Sequence, residues 1–324
     1  MPQPLLPHRT IPRRHACGCL LSAAFCCLAG WRAQAAALAT DAVELVEVAP
    51  GLHVFRGVHE EATAANFGAI ANVAVVVGND SVAVIDSGGS FAWGQRLRQA
   101  ITGMTPLPVR YLVNSHVHPD HIFGNGAFLA DAPEIWGHAK LPAALAARGE
   151  YYLGRLREVL GSVATGTSVI APTHLVSESR ELDLGGRVLR LRAHPTAHTD
   201  NDLTVLDETT GTLIAGDLLF MERLPAIDGS LNGWLAVLDR LRQTPANRVV
   251  PGHGPAVASW PAALDPQERY LRHLQTDLRA LIAAGVPMEK AAETAGQTER
   301  GQWRLFDDYN ARNVVTAYAE LEWE

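Results

Sequence analysis

The sequence predicts an α/β fold in which helices pack on β-sheet, and three features indicate it. Strand-length aliphatic runs at residues 70–77, 81–85 and 109–113 alternate with helical spacing at 91–104. Gly78-Asn79-Asp80, between the first two runs, is typical of a hairpin turn. A hairpin followed by strand–helix–strand units is the order found in layered α/β domains. No repeat, coiled coil or long linker divides the chain.

Each further element is predicted from its apolar period and from the Gly, Pro, Ser or Asn residues at its ends. In the first half we expect a strand pair over 43–57, a strand at 134–138, a helix over 140–160 that is interrupted or bent near Gly149 and Gly154, and a loop over 161–180. In the second half we expect a hairpin over 182–189, strands at 202–206, 212–215 and 247–250, a helix over 231–241, and helices from 266 onward with breaks at 285–287 and 296–301.

The N-terminus predicts a secretory signal peptide over residues 1–37. Arginines precede an Ala-rich apolar run over 16–30, and small residues suited to cleavage follow at 33–37. A membrane anchor that is never removed is the alternative, although the apolar run is short for a full span. The predicted organisation is a leader (1–37), a main α/β domain (38–262) and a helical extension packed on that domain (263–324). The mature protein is expected in the periplasm or secreted.

Cysteines and charge narrow the possible functions. All four cysteines lie between Cys17 and Cys27, so the mature chain has no thiol nucleophile, disulfide or thiolate ligand. Leader removal takes away four arginines and no acids, which moves the formal net charge from −7 to −11. An acidic mature protein is not expected to bind nucleic acid or anionic membrane surfaces. We also expect no stable membrane insertion after cleavage.

A dense group of metal-binding side chains follows the strand at 109–113. His116, His118, Asp120 and His121 stand within six residues, where close-packed imidazoles would repel when charged and compete for hydrogen bonds when neutral. In extended backbone His116 and His118 project to one side and can share one ion. Pro119 then turns Asp120 and His121 toward a neighbouring point. The pattern therefore predicts ligands for two adjacent cations.

Three later candidates each stand at the edge of a predicted strand. His198 precedes the strand at 202–206, Asp217 follows the strand at 212–215, and His253 follows the last strand. Glycines beside Asp217 and His253 permit tight turns and close approach of a cofactor.

The run His-x-His-x-Asp-His, followed by His198, Asp217 and His253, resembles the metallo-β-lactamase superfamily. The resemblance implies a four-layer αβ/βα sandwich with its metal site at one edge. It also implies that Asp217 bridges two ions, with Zn²⁺ expected first and Fe or Mn possible. The implied ligands are His116, His118 and His198 for one ion, and Asp120, His121 and His253 for the other.

An Asp at position 217, where secreted β-lactamases have Cys or Ser, is similar to thioester hydrolases of the glyoxalase II type. Segments 57–61, 69–73, 137–142 and 303–307 resemble exported SoxH-like, quinoprotein-relay zinc metallohydrolases. The expected enzyme is a dinuclear zinc hydrolase, in which a metal-bridging hydroxide attacks the carbonyl of a small ester, thioester or lactone. A functional link to a periplasmic quinoprotein dehydrogenase follows from the same resemblance.

Four residues are expected to act in catalysis, in positioning a ligand or in substrate contact. Asp120 is expected to be catalytic as well as a ligand, orienting the proton of the nucleophile. Asp86 is either a partner of a ligand imidazole or a strand-terminal cap. His59 and His138 stand in segments expected near the mouth of the site and are candidate substrate contacts.

Three other functions are compatible with the same candidate ligands. A β-lactamase would use the same hydroxide to open a strained amide, and export favours it while Asp217 opposes it. A mononuclear iron oxidoreductase of the persulfide dioxygenase kind would use fewer of these ligands. A non-catalytic metal-binding accessory of a quinoprotein pathway is the third.

Overall fold

Two β-sheets form the centre of the fold in a computed structural model that describes residues Val43–Glu324. The predicted leader over 1–37 lies outside the described residues. The first sheet has seven strands that follow one another in chain order, antiparallel from the first to the fourth strand and parallel from there on. They are β1 (Val46–Ala49), β2 (Leu52–Phe55), β3 (Val73–Val77), β4 (Val82–Ile85), β5 (Val109–Val113), β6 (Glu134–His138) and β7 (His174–Val176).

The second sheet has six strands, arranged in the order β13-β12-β11-β10-β9-β8. Only its β11–β12 pair is parallel. The strands are β8 (Ser179–Asp183), β9 (Val188–Ala193), β10 (Leu203–Asp207), β11 (Thr212–Phe220), β12 (Arg248–His253) and β13 (Ala258–Ser259).

Seven α-helices accompany the sheets in the part of the chain that the structure describes. Two of them begin at a serine side chain: Ser90 accepts from the Trp93 amide, and Ser230 accepts from the Gly233 amide. The helices are α1 (Phe91–Met104), α2 (Pro119–Ile122), α3 (Leu141–Leu160), α4 (Leu231–Leu241), α5 (Asp265–Ala283), α6 (Met288–Thr294) and α7 (Phe306–Leu321). None of the helices described is long and apolar enough to span a lipid bilayer.

Separate apolar clusters define the layers. Leu52 and Val54 of the first sheet pack with Leu203 and Val205 of the second, so the two sheets face each other. The opposite face of the first sheet packs against α1, and the second sheet packs against α4, α5 and α7. Helix–sheet–sheet–helix layering confirms the predicted four-layer α/β sandwich and its helical C-terminal part.

A buried arginine ties the two sheets together. Arg187, at the turn between β8 and β9, pairs through two nitrogens with the Asp207 carboxylate at 2.6 and 3.2 Å. Its third nitrogen donates to the carbonyl oxygens of Pro50 and Val77 on the first sheet. The two-point contact with Asp207 and the two carbonyl acceptors offset part of the free-energy cost of burying the Arg187 charge.

Three local predictions are corrected by the structure. The helix predicted to be interrupted or bent near Gly149 and Gly154 is not interrupted and runs from Leu141 to Leu160; the close approach of Val169 explains a glycine at position 149. The predicted loop over 161–180 contains β7, which pairs with β6. Asp217 lies within β11 instead of after a strand, since the strand continues past a register shift at Gly216, where φ is +51°.

His194, which follows β9, should make stability depend on pH. Burial lowers the pKa of His194 to about 3, with Arg192, His138 and Arg240 acting in the same direction. The folded protein therefore holds a neutral imidazole where the unfolded chain takes up a proton below its usual value of 6.5. The stabilisation is complete above that pH and is lost as the pH falls toward 3.

We expect wild type to lose about 1.4 kcal/mol more unfolding free energy than His194→Gln when the pH falls from about 7.5 to 5.5. Urea unfolding of both proteins at the two pH values measures this difference. Equal losses in the two proteins would show that His194 does not titrate differently in the folded and unfolded chains.

Candidate metal centre

The seven candidate ligands meet at one place, although four separate segments supply them. The first four come from the turn after β5 and from α2, which begins at Pro119 directly after the extended His118. The others stand in the β9–β10 loop, within β11, and at the end of β12. Within each of two groups the candidate ligand atoms lie no more than 4.8 Å apart. The groups are His116, His118, His198 and Asp217, and Asp120, His121 and His253.

The carboxylate of Asp217 lies between the two groups. Its Oδ1 is 3.1 Å from Nε2 of His121, and its Oδ2 is 3.4 Å from Nε2 of both His198 and His253. The Oδ2–Nε2 distance to His116 is 3.7 Å. One carboxylate thus contacts imidazoles of both groups, which is the arrangement a bridging ligand requires.

Contacts within each group are equally close. Nδ1 of His118 lies 3.0 Å from Nε2 of His116 and 2.9 Å from Nε2 of His198. Oδ2 of Asp120 lies 3.3 Å from Nε2 of His253. Each of these atoms points inward, toward the other group members.

The outward nitrogen of three ligand histidines has a fixed acceptor. His253 Nδ1 donates to the Ile70 carbonyl at 2.9 Å, and His198 Nδ1 donates to the Ala226 carbonyl at 2.7 Å. His118 Nε2 lies 3.1 Å from a carboxylate oxygen of Asp228. A neutral imidazole that donates from its outer nitrogen must present a lone pair from its inner one.

Asp86 and Ser115 provide the hydrogen-bond acceptors for the outer nitrogens of the remaining two ligand histidines, His121 and His116. Asp86 accepts from the Ser115 amide and hydroxyl at 2.8 and 2.7 Å, and from His121 Nδ1 at 2.7 Å. Because the Ser115 hydroxyl donates to Asp86, its oxygen is left to accept from His116 Nδ1 at 2.9 Å. Asp86 has φ +62°, a strained value for a non-glycine residue, which these contacts hold in place.

The resulting donor set fits a metal ion. In their neutral form, with the outer nitrogen donating, the five imidazoles direct lone pairs inward, and the two carboxylates can only accept. Nε2 of His121 and Oδ1 of Asp217 are buried and have no hydrogen-bond partner among the described residues. Such groups are costly to bury unless a cation satisfies them. The nitrogen-rich set with two carboxylates suits Zn²⁺.

Burial and nearby carboxylates shift the pKa values of the ligand imidazoles in opposite directions. Burial lowers the pKa of His198 to about 4 and that of His116 well below its usual range. Burial acts in the same sense on His121 and His253, but the neighbouring carboxylates together outweigh it and raise both pKa values: Asp217, Asp86 and Asp120 for His121, and Asp217 and Asp120 for His253. Protons and metal ions therefore compete for these two imidazoles.

Removing the Asp86 carboxylate is expected to weaken metal binding without removing a ligand. In Asp86→Ala, the Ser115 hydroxyl and His121 Nδ1 lose their acceptor, and the His121 ring is free to turn. The metal dissociation constant should rise about 10- to 100-fold. Chelator competition measures it, and Glu150→Ala, an exposed change on α3, serves as the control. An unchanged constant would show that Asp86 does not position the centre.

A cleft of about 510 Å³ opens over the centre. Its apolar wall includes Ile70, Leu156, Phe220 and Ile227, and the Phe220 ring stacks on His253 with centroids 5.0 Å apart. Side chains from α7 line it as well, so the C-terminal part of the chain contributes to the site. The cleft can hold a small organic molecule beside the centre.

The two histidines predicted to contact substrate lie elsewhere. His59 Nε2 is 2.9 Å from a carboxylate oxygen of Glu222, and His59 does not line the cleft. His138 lines a separate surface depression together with Lys140 and His194. Substrate contact by His59 or His138 stays a prediction that the lining of the cleft does not support.

Three residues that line the cleft were not predicted as site residues from the sequence. They are Asp228, Arg223 and Tyr309. Asp228 stands two residues before Ser230, the first residue of a helix cap, so it has the pattern of an ordinary helix start. Arg223 and Tyr309 stand in no recognisable motif. Only the fold brings them to the centre.

The chain belongs to the metallo-β-lactamase superfamily. The family model described as "Metallo-beta-lactamase superfamily" matches residues 67–253, more than half of the chain. The matched range contains all seven candidate ligands and ends at His253. Members of this superfamily are generally hydrolases, and the candidate metal-binding groups described above agree with that class.

Two curated relatives and one solved structure are similar to the chain. "Beta-lactamase-like protein 2 homolog" of Caenorhabditis elegans is 22% identical over 57% of this chain and 54% of the relative. "Linear primary-alkylsulfatase" of Pseudomonas sp. (strain ATCC 19151) is 23% identical over 55% of this chain and 40% of the relative. The chain thus spans about half or less of the length of these relatives.

A solved metallo-β-lactamase from Pontibacter korlensis matches with a TM-score of 0.57 and 19% identity, over 71% of this chain and 98% of the other. At that identity the likeness shows the fold.

Proposed function

We propose that the protein is a metal-dependent hydrolase that uses two divalent ions, Zn²⁺ first, to cleave a small ester, thioester or lactone. The observation that carries the proposal is the inward convergence of seven ligand side chains, with Asp217 in contact with imidazoles of both groups. One ion would be held by His116, His118 and His198, the other by Asp120, His121 and His253, and Asp217 would bridge them.

Bound divalent ions would supply Lewis acidity and lower the pKa of water at the centre. The chain itself supplies a carboxylate that can orient water and an apolar wall for the substrate. Asp120 is only partly buried and lines the cleft, so its carboxylate can orient the proton of an attacking water molecule. Phe220 and Ile70 give the substrate an apolar wall beside the centre.

The lining of the cleft supports attack by water rather than by a protein nucleophile. No serine or cysteine lines it in the described part of the chain. Ser115, the serine bonded to the ligand histidines, is buried and donates its hydroxyl proton to Asp86. Neither a serine nor a cysteine is therefore placed to form a covalent acyl-enzyme, which favours attack by water.

Export and a pathway link belong to the same proposal. The leader-like segment over 1–37 supports a periplasmic or secreted location. The resemblance of segments 57–61, 69–73, 137–142 and 303–307 to SoxH-like, quinoprotein-relay proteins supports a role beside a periplasmic quinoprotein dehydrogenase. A small-molecule substrate is expected in either case.

The test begins with metal analysis of purified protein, followed by hydrolysis of 4-nitrophenyl acetate, a glutathione thioester and an aromatic lactone. We expect two zinc ions per chain and turnover that is lost on chelation and restored by Zn²⁺. One iron per chain with oxygen consumption would instead indicate a persulfide dioxygenase-like enzyme. Full metal loading without turnover of any substrate would indicate a non-catalytic accessory.

Sulfate-ester hydrolysis is the second candidate, favoured by the similarity to the curated alkylsulfatase and by three arginines that line the cleft. Dodecyl sulfate tests it in the same assay. Nitrocefin tests the β-lactamase alternative, against which Asp217 argues.

A further inference from the structure

Arg223 is a buried cation at the edge of the candidate metal centre. It lies just after β11, its exposed fraction is 3%, and it lines the cleft. Burying a guanidinium is costly unless its five N–H groups find acceptors. How those groups are satisfied therefore indicates whether Arg223 is only structural.

The acceptors of Arg223 are incomplete. One terminal nitrogen donates to the Glu60 carbonyl at 3.3 Å, and the other to the Tyr309 hydroxyl at 2.5 Å and to the Glu61 carboxylate at 3.4 Å. The Tyr309 hydroxyl donates in turn to Glu61 at 2.6 Å. Nε of Arg223 is buried and has no acceptor within residues 43–324.

The charge of Arg223 is also incompletely neutralised. The Glu61 carboxylate is its only ion-pair partner in the described chain, at 3.4 Å, and the Glu61 side chain is 55% exposed. The other carboxylates of the cleft have their own cationic or imidazole partners. These are Asp120 and Asp217 in the candidate metal centre, and Asp228, which pairs with Arg148 and His118.

A second cation stands close by. The exposed Arg312 lies over the Tyr309 ring, 5.6 Å from its centroid, and has no carboxylate within ion-pair distance in the part that the structure describes. The guanidinium carbon of Arg223 lies 5.0 Å from the same centroid. One end of the cleft thus carries two positive charges, while its wall beside the centre is apolar.

We propose that Arg223, oriented by Tyr309, is a specificity-determining residue that binds a negatively charged group of the substrate. The inference rests on the proposed hydrolase function and names its substrate class: an acyl compound with an anionic end, a carboxylate or a sulfonate, separated from the scissile bond by an apolar segment. The anion would pair with the part of the Arg223 guanidinium that lines the cleft and add to the single, exposed carboxylate of Glu61. The apolar segment would lie along Ile70, Phe220 and Ile227.

A matched substrate pair isolates the charge. Mono-(4-nitrophenyl) adipate and its methyl ester share the leaving group and chain length, and differ only in the distal carboxylate. We expect wild type to prefer the acid about 10- to 100-fold in kcat/KM, through a lower KM. In Arg223→Met the preference should vanish while turnover of the methyl ester stays within about threefold. An equal loss on both substrates would assign Arg223 a structural role and overturn the proposal.

Calorimetry separates failure of this inference from failure of the hydrolase proposal. Adipate is expected to bind the metal-loaded protein at least about 10-fold more tightly than hexanoate, and Arg223→Met should remove that advantage. If neither ester is hydrolysed but the advantage is present, the anion site stands and the hydrolase proposal fails. Equal affinity for adipate and hexanoate in wild type overturns the anion site.

Tyr309→Phe covers the case in which Arg223→Met does not fold. This change retains the ring and removes only the hydroxyl that joins Arg223 to Glu61, and it should reduce the acid preference several-fold. Arg192→Met, an exposed arginine outside the cleft with the same change in net charge, should leave the preference as in wild type. If the preference for the acid is unchanged in Tyr309→Phe but reduced in Arg192→Met, then the net charge of the protein, and not the Arg223 site, determines that preference.

Discussion

Asp217→Asn is expected to lower hydrolysis by at least about 10³-fold, equivalent to about 4 kcal/mol of transition-state stabilisation, and to reduce the metal content below two ions per chain. The carboxylate is the group in contact with imidazoles of both clusters, at 3.1 to 3.7 Å. An amide has nearly the same shape but carries no charge, and its NH₂ cannot bind a cation. Metal analysis and kcat/KM for the best ester measure the two effects.

Asp239→Asn, an exposed change on α4, is the matched control for Asp217→Asn and should retain wild-type metal content and activity. The melting temperature of Asp217→Asn in excess chelator, compared with that of the wild type treated in the same way, separates metal loss from misfolding. Two bound ions and undiminished turnover in Asp217→Asn would mean that Asp217 does not bridge the centre.

Asp120→Asn is expected to reduce kcat by about 10²- to 10⁴-fold. Asp120 lines the cleft, and its carboxylate lies 3.3 Å from Nε2 of His253, so it can both bind an ion and orient the proton of a water molecule. Neighbouring imidazoles outweigh burial and hold the pKa of Asp120 well below its usual range, which keeps it an acceptor near neutral pH. The single-turnover rate at saturating substrate measures the loss.

Metal content distinguishes the two roles of Asp120. If Asp120→Asn retains two ions and loses kcat, the residue acts chiefly in orienting the proton. If it loses one ion, the ligand role dominates. Retention of both the ions and kcat would contradict either role. Asp80→Asn, an exposed change, is the control.

The sequence predicted those elements whose signals are local. Helix α1 and strand β5 have the predicted bounds, because apolar period and terminal residues agree over 91–104 and 109–113. The first ligands follow β5 within eight residues, so their proximity needs no knowledge of the fold. The layering followed from the order of strands and helices, and the superfamily resemblance made it specific.

Features that depend on distant contacts were missed or misplaced. Strand β7 has three residues and exists because β6 is beside it, so its own sequence carries little signal. The extension of β11 past Gly216 depends on pairing with β12. Arg223 and Tyr309 are 86 residues apart, and no pattern in a single sequence joins them.

The proposed hydrolysis depends most on the two-ion centre, and the metal content of the wild-type protein tests that centre most directly. Protein purified with its natural metal, then dialysed against metal-free buffer, is analysed by plasma mass spectrometry and by anomalous scattering from crystals. We predict two divalent ions per chain, one among His116, His118 and His198, and the other among Asp120, His121 and His253. A chain that binds no ion at these residues when offered Zn²⁺, Fe²⁺ and Mn²⁺ would contradict it.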